Sequence, residues 1–432
     1  MSKRLALDDT LELPLTFAAP KSKARLQFVD ELVAFREFGK RTQLIQTQAL
    51  TFDGESVQVP TYVNEFWTAK QRAAHSLHEV SYRACFKPAL PRFFIERLTD
   101  ATDIVYDPFM GRGTTLLEAA LLGRVPAGCD VNPLSAVLVR PRLNPPSLAD
   151  VAERLNQIDF SIATETDLPK ELLVFYHPET LRQIASLKQY LLRRRKLDPI
   201  DDWIRLLALN RLTGHSPGFF SVYTLPPNQA VSVKSQQRIN ERRNQKPPCR
   251  DVPKLILKKS RQLLADCSAA DRATLSHVSS RALLLTETSD HTPKIAPNSV
   301  SLVVTSPPFL NVVDYATDNW LRCWFLDIDP QKVQLTVPRK VKVWQEAMTA
   351  VFHELQRVLK RGGHIAFEVG EVGAGGAIKL EEAVVPCGLA AGLKPLLILI
   401  NDQKFTKTAN CWGVNNNSKG TNTNRIVLFR KR

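Results

Sequence analysis

The segment from Ile104 to Asp130 constrains the fold more than any other. Ile104-Val105-Tyr106 is short, apolar and rich in β-formers, and Asp107 to Gly113 is a turn carrying two glycines. Thr114 to Leu122 is a strong helix former, stopped by Gly123-Arg124, and Val125 to Cys129 supplies a second short strand ending at Asp130. Two strands joined through a helix lie parallel, because a crossover of this length cannot be a hairpin. A chain with this unit is an α/β protein with a parallel sheet and right-handed crossovers.

The pattern resumes far downstream. Ala282-Leu283-Leu284-Leu285-Thr286 reads as a strand, and Val300 to Val304 as another that runs directly into Thr305-Ser306-Pro307-Pro308-Phe309. A long helix is expected from about Val343 to Leu359, ended by Lys360-Arg361-Gly362-Gly363, where cations and glycine suit a C-terminus. His364 to Val369 reads as a strand, and Leu396–Ile400 with Arg425–Phe429 as a terminal antiparallel pair. Roughly 150 residues separate the second strand from Leu283. From about Ser147 to Ser280 the composition changes. Its first half is helical, with Leu181, Ile184, Leu187 and Leu191 on one face; the stretch 213–253 is rich in Pro, Gly and Asn and reads as loop. Upstream, Leu26–Phe38 is amphipathic, Ala69–Ser81 is free of Pro and Gly and reads as helix, and Phe86 to Pro91 breaks it before the amphipathic run Arg92–Leu98. The expected division is 1–60 as an N-terminal extension, 61–146 and 281–432 as two parts of one sheet domain, and 147–280 as an insertion.

Lys+Arg exceed Asp+Glu by 58 to 43, a formal charge of +15, which favours a polyanionic partner such as nucleic acid. Between Lys234 and Arg261 ten Lys/Arg face two acids, a density suited to phosphate contact. No apolar run approaches the roughly 20 residues that span a bilayer, and Met1 to Asp9 has no apolar signal core, so no membrane association and a cytoplasmic location are expected. The seven cysteines are scattered without a C-x-x-C pair, which argues against a disulfide scaffold or a zinc knuckle. His75 and His78 lack a third ligand nearby, and no metal is expected.

Two sites carry chemistry. In Asp107-Pro108-Phe109-Met110-Gly111-Arg112-Gly113-Thr114-Thr115 the glycines let a ligand approach the backbone at a strand–helix turn. Asp107 can hold an ammonium group, and Asp130 ends the next strand where ribose hydroxyls are bound in dinucleotide folds. A nicotinamide site would want a third glycine in register, and a Walker loop a Gly-Lys-Ser/Thr; neither is present, so a cationic, phosphate-free ligand fits better. In the second site the two prolines of Ser306-Pro307-Pro308-Phe309 would make a rigid turn by themselves. They also fix a carbonyl beside a hydroxyl, which together can accept both N–H bonds of a conjugated amine and localise its lone pair, while an aromatic ring stacks on an extruded base. Pro386-Cys387 and Pro248-Cys249, which suggest a thiol nucleophile, follow no strand in the catalytic position.

Asp107-Pro108-Phe109-x-Gly111-x-Gly113-Thr114-Thr115, Asp130-x-Asn132-Pro133 and Thr305-Ser306-Pro307-Pro308-Phe309 together resemble the DNA amino-methyltransferases. Phe86 to Ile95 is similar to the cofactor-contacting segment ahead of the glycine loop in permuted members, and Asp314-Tyr315 with Asn319 to Trp324 is similar to the helix after their catalytic loop. The resemblance implies a seven-stranded Rossmann-like methyltransferase sheet, here carrying a mostly helical, basic insertion. In the family the target-recognition region usually lies elsewhere relative to the third strand, so 147–280 is read as that region from its position and charge. It implies S-adenosylmethionine, with its methionine end near Asp107, Phe109 and Gly111 and its ribose near Asp130. Pro88, Gly113, Thr114 and Asn132 complete the matched cofactor set, and Asp290 is the candidate for the adenine, with Thr286 and Ser289 as rivals. Ser306, Pro307, Pro308 and Phe309 become the catalytic residues acting on a flipped base of double-stranded DNA. Serine before Pro-Pro favours cytosine N4 over adenine N6, with a cognate restriction endonuclease as a further partner. An RNA base methyltransferase and a non-catalytic binding module are the rival functions.

Overall fold

The computed structural model describes residues 27–68, 74–82, 85–225, 230–308, 315–330, 333, 340–372, 378–402 and 423–432. Its centre is a nine-stranded sheet made of β1 (Gln43–Leu50), β2 (Ser56–Asn64), β3 (Ile104–Asp107), β4 (Val125–Cys129), β5 (Leu283–Leu285), β6 (Val300–Thr305), β7 (Leu359–Val369), β10 (Lys394–Asp402) and β11 (Thr423–Arg430). A separate two-residue ladder joins β8 (Glu371–Val372) and β9 (Ile378–Lys379). The sheet order is β1-β2-β10-β11-β7-β6-β3-β4-β5. The seven strands from β10 to β5 form the expected Rossmann-like sheet, parallel except for β11, which runs antiparallel to both neighbours. The expected terminal pair is β10 with β11.

Both faces of this sheet are covered, which is why its central strands read as unbroken apolar runs. Side chains alternate between two cores. Val303, Ile365, Phe367, Val427 and Phe429 pack under α12 (Val341–Val358) and α13 (Leu380–Ala390), where the Phe352 ring lies 4.8 Å from Phe367 and 5.0 Å from Phe429. Leu302, Val304, Ala366, Ile426 and Leu428 pack on the other side with Phe28 and Leu32 of α1 (Gln27–Ala34) and Phe93 and Phe94 of α2 (Ala89–Leu98). A third core joins Leu116 and Leu117 of α3 (Thr114–Leu121) and Leu138 and Val139 of α4 (Pro133–Leu143) to the helices downstream. Those are α5 (Leu148–Gln157), α6 (Pro178–Leu192), α7 (Pro199–Arg211), α8 (Val233–Arg243), α9 (Val252–Leu263) and α10 (Ala269–Ser279), with α11 (Tyr315–Leu326) closing the cluster through Leu321 and Phe325.

The described part of 213–253 is mostly loop, as expected, but α8 fills 233–243 and α9 begins at Val252. Three other expectations are corrected. Over Ala69–Ser81 the described part is a 3-10 turn, Ser76–His78, because tertiary partners outcompete helix propensity: Ser76 Oγ donates to the Leu263 carbonyl at 2.8 Å, and the Ser76 N–H to Asp266 at 2.8 Å. The glycines after α12 do not cap it. Its chain passes straight into β7 at Leu359, and Gly362, at φ +73°, sits within that strand, where pairing with β6 changes register between Val300 and Leu302. The region before residue 61 is not only an appendage, because β1 and β2 extend the sheet, β2 lying parallel to β10.

Beside the pairing of β2 with β10, one buried side chain fastens that extension at three points. Asn401, fully buried on β10, accepts the Phe66 and Trp67 N–H groups on Oδ1 at 2.7 and 3.2 Å and donates from Nδ2 to the Trp67 carbonyl at 3.2 Å. Asn401→Ala leaves three buried backbone groups unpaired and is expected to lower stability by roughly 2–4 kcal/mol. Denaturant unfolding followed by tryptophan fluorescence checks this; an unchanged midpoint would show that the fastening carries no weight.

Candidate active site

The chain runs outward from β3 through β4 to β5, then returns to the other side of β3 as β6, so the strand order reverses between β3 and β6. Ligand crevices in open α/β sheets lie at the carboxyl ends of strands at such a point. Asp107 ends β3 and Thr305 ends β6, and the Thr305 hydroxyl donates to Asp107 Oδ1 at 2.6 Å, both residues being fully buried. The same oxygen accepts the Phe109 N–H at 3.0 Å.

A cleft of about 360 Å³ opens beside this pair. Of the residues singled out in the sequence, Asp107, Phe109, Gly111, Thr114, Asp130, Asn132, Asp290, Ser306 and Pro308 line it. Asp130 stands one strand over and accepts the Gly111 N–H on Oδ2 and the Asn132 N–H on Oδ1, both at 2.9 Å. Asn132 in turn caps α4 by accepting the Leu134 N–H. Burial pushes Asp107 up to about 7, partly opposed by the hydrogen bonds it accepts from Thr305 and the Phe109 N–H and reinforced by the nearby Asp130 charge. Asp130 is raised by burial as well. Neither carboxylate has a Lys or Arg partner among the described residues.

The loop after β6 is held at three points. Thr305 bonds to Asp107; the Ser306 hydroxyl hydrogen-bonds the carboxyl of Glu368 on β7; and the fully buried Trp344 of α12 donates from Nε1 to the Pro308 carbonyl at 3.1 Å. Glu368, which burial holds above the usual carboxyl range, also accepts from Asn424 Nδ2 at 2.8 Å. Pro307 is buried beneath the loop, and Phe309 lies outside the described residues.

Three assignments need adjustment. Pro88 lines a separate cavity of about 190 Å³ with Lys87, Arg92 and Glu118, and it is Cys85 and Phe86 of that segment that reach the main cleft. Gly113 does not line the cleft; at φ +74° it starts α3, and a Cβ there would fall 2.3 Å from Val139 Cγ2, so glycine is required for α3 to approach α4. Ser289 lines the cleft too but spends its hydroxyl on the Pro108 carbonyl at 2.6 Å, whereas its exposed neighbours Asp290 and Thr288 line the cleft on either side of it. Glu368 and Trp344 were missed. Glu368 is the one acid inside the apolar run Ile365 to Val369, which is a signal; the partner of Trp344 follows only from long-range packing. Cys387, buried in α13 with its thiol pushed up to about 11, has no place in the cleft. His78 is buried against Glu118 at 2.7 Å, and burial lowers it to about 4.

Fold and site thus define a Rossmann-like α/β protein with a ligand cleft at the switch point of its sheet. Residues 3–136 match a family model for N6/N4 methyltransferases described as DNA methylase. Over those residues, under a third of its length, the chain is similar to this family, the DNA amino-methyltransferases. Its relatives include a type II methyltransferase of Geobacillus stearothermophilus, 21% identical over 76% of this chain and 68% of that protein. A type II methyltransferase of Kocuria varians is 28% identical over 33% of this chain and only 29% of its own length. A third, from Methanocaldococcus jannaschii, is 32% identical over 17% of this chain and 14% of its own. Solved structures similar to the chain include TrmN from Thermus thermophilus (12% identity, TM-score 0.32, covering 83% of this chain and 52% of that one). An rRNA methyltransferase from Streptomyces viridochromogenes also matches (14% identity, TM-score 0.32, 85% and 94% covered).

The raised carboxyls set a pH dependence. A carboxyl whose folded pKa exceeds its unfolded value binds more protons when folded, so stability falls as pH rises between the two values. For Asp107 that window runs from about 4 to about 7. The ligand-free protein should therefore lose stability across this range, and Asp107→Asn should flatten the loss. Urea midpoints at several pH values check this; an identical slope in both proteins would show that Asp107 ionises freely.

Proposed function

We propose that this protein transfers a methyl group from S-adenosylmethionine to the exocyclic amine of a flipped base in double-stranded DNA, with cytosine N4 as the target. The observation that carries the reading is the juxtaposition in one cleft of two carboxylates without cation partners among the described residues, Asp107 buried and Asp130 half-buried, with the Ser306 hydroxyl, which is anchored on the buried Glu368 behind it. The cofactor fits the cleft on chemical grounds. Asp107 can pair with its ammonium group, Asp130 retains lone pairs for ribose hydroxyls, and Asp290 or Thr288 stands open for the adenine. When bound, S-adenosylmethionine supplies an electrophilic methyl carbon: the amine nitrogen bonds to it as the C–S bond breaks, leaving a neutral thioether and one proton to be lost from nitrogen.

The chain's own residues prepare the amine. By donating to Glu368, the Ser306 hydroxyl turns its lone pairs away from that acid and toward the cleft, where they can accept an amine N–H. The rigid Pro307 carbonyl would take the second N–H, and Phe309 would stack on the base. Held this way, the amine lone pair loses conjugation with the ring, and most of the acceleration comes from positioning. Ser306 and Glu368 also offer a route for the departing proton. The serine before Pro-Pro supports cytosine N4 over adenine N6. The basic helical region 147–280 is the proposed target-recognition region, and a cognate restriction endonuclease and a cytoplasmic setting complete the reading.

Expression in a host without DNA methylation, followed by mass spectrometry of digested nucleosides, tests it. N4-methyldeoxycytidine is expected. N6-methyldeoxyadenosine would overturn the target, and unmodified DNA from folded protein would overturn the activity. Ser306→Ala should lower kcat on the order of 10²-fold or more while cofactor binding stays intact; full activity would remove Ser306 from its role.

A further inference from the structure

Helix α8 is charged without the usual structural reason. Most cationic helix faces are the solvated side of an amphipathic helix whose other side is core. Helix α9 is of that kind: Lys254, Lys258 and Arg261 are exposed, and Val252, Ile256 and Leu263 are buried behind them. Helix α8 buries only Gln236. It is held instead by polar fastenings: Gln236 Nε2 donates to the Tyr223 carbonyl at 3.1 Å, Asn240 Nδ2 donates to the Val174 carbonyl at 2.8 Å, and the Arg243 guanidinium lies 3.8 Å over the Tyr223 ring. Ser232 caps its start and left-handed Asn244 its end.

Lys234, Arg238 and Arg242 recur every fourth residue, so they form one row along the helix, and all three are exposed. None is in an ion pair among the described residues, and the sole acid of the helix, Glu241, leaves the row's charge uncompensated. At 1.5 Å rise per residue the row spans about 12 Å, a length of duplex axis that carries about seven phosphate charges. The row is attached to the catalytic side of the protein. Just before α8, the Ala230 N–H donates to the Asp318 carbonyl at 3.0 Å and the Trp320 Nε1 donates to the Val231 carbonyl at 3.1 Å. Asp318 and Trp320 belong to α11, the first helix after the Ser306 loop, and Arg322 of the same helix donates to the Ser81 carbonyl, next to Tyr82 of the cleft wall.

We propose that the Lys234–Arg238–Arg242 row of α8 is a phosphate-binding ridge that grips the DNA backbone and registers the duplex against the cleft without reading its sequence. This rests on the proposed DNA methyltransferase activity and adds to it which helix carries the non-specific part of binding. An apolar partner has nothing to bury on this helix, and an anionic partner satisfies all three cations at once.

The test uses the full chain and a fluorescently labelled duplex of arbitrary sequence, with the dissociation constant measured across a salt series. Each phosphate contact contributes about 0.9 to the slope of log affinity against log salt. Replacing Lys234, Arg238 and Arg242 together by Ala should make that slope shallower by about 2–3. The matched triple Lys254→Ala, Lys258→Ala, Arg261→Ala on α9 removes the same charge and should make the slope shallower by less than the α8 triple does. Arg238→Lys with Arg242→Lys should also keep it, which a packing role for the arginines would not. An unchanged slope in the α8 triple overturns the inference, as does an equal change in both triples, and in either case wild-type methylation of DNA leaves the activity standing. Wild-type protein that neither binds nor methylates the duplex overturns the activity and the ridge with it.

Discussion

The hydrogen bond from Thr305 to Asp107 is the constraint on which the site depends. It joins the carboxyl ends of β3 and β6, adjacent in space but separated by 198 residues in the chain, at the point where the sheet reverses its winding. One partner opens the glycine turn and the other opens the Ser306 loop, so their separation sets the distance between whatever the turn binds and whatever the loop holds. The bond also makes a buried carboxyl tolerable: hydroxyl and backbone donors replace part of the water that Asp107 gives up, and the remaining cost shows in its raised pKa. Asp130 is in the same position one strand away. A buried and a half-buried acid without cation partners among the described residues are a liability in the empty protein and a ready site for a positively charged ligand, a familiar exchange of stability for function.

Around that bond the structure removes freedom from the loop. Trp344 on α12 holds the Pro308 carbonyl, Glu368 on β7 holds the Ser306 hydroxyl, and Asn424 on β11 holds Glu368. The anchors come from a helix and two strands packed in the sheet's cores, not from other loops, which suits a group that must be placed to a fraction of an ångström. The insertion is built into the same body. Its helices share one core with α3 and α4, so the insertion is continuous with the helix that starts at the glycine turn.

Much of this was legible in the sequence, for physical reasons. Strands buried on both faces appear as short apolar runs, and β3, β4, β6, β10 and β11 all announced themselves that way. The cleft residues Asp107, Gly111, Asp130 and Ser306 sit at strand ends, where turn residues make them visible. What escaped lacks such a signal. The β1 segment Gln43–Leu50 has mostly exposed side chains and no clean alternation, so its place in the sheet follows from pairing with β2 and not from its own pattern. Helix α8 has no apolar face, and a sequence rich in Arg, Gln and Asn looks like loop until its caps and tertiary amide bonds are seen. Pro88 was assigned by its neighbours, yet the chain turns between Phe86 and Pro88 and sends the two residues to different cavities.

The central claim is that the cleft at the β3–β6 switch point holds S-adenosylmethionine through Asp107 and Asp130. Isothermal titration calorimetry of the purified chain with S-adenosylmethionine, in wild type and in Asp130→Ala, tests it most directly. The account predicts saturable one-to-one binding by wild type, weakened by about tenfold or more when the carboxylate facing the ribose is removed. Absence of binding by folded wild type, or equal affinity in the Asp130→Ala protein, would contradict it.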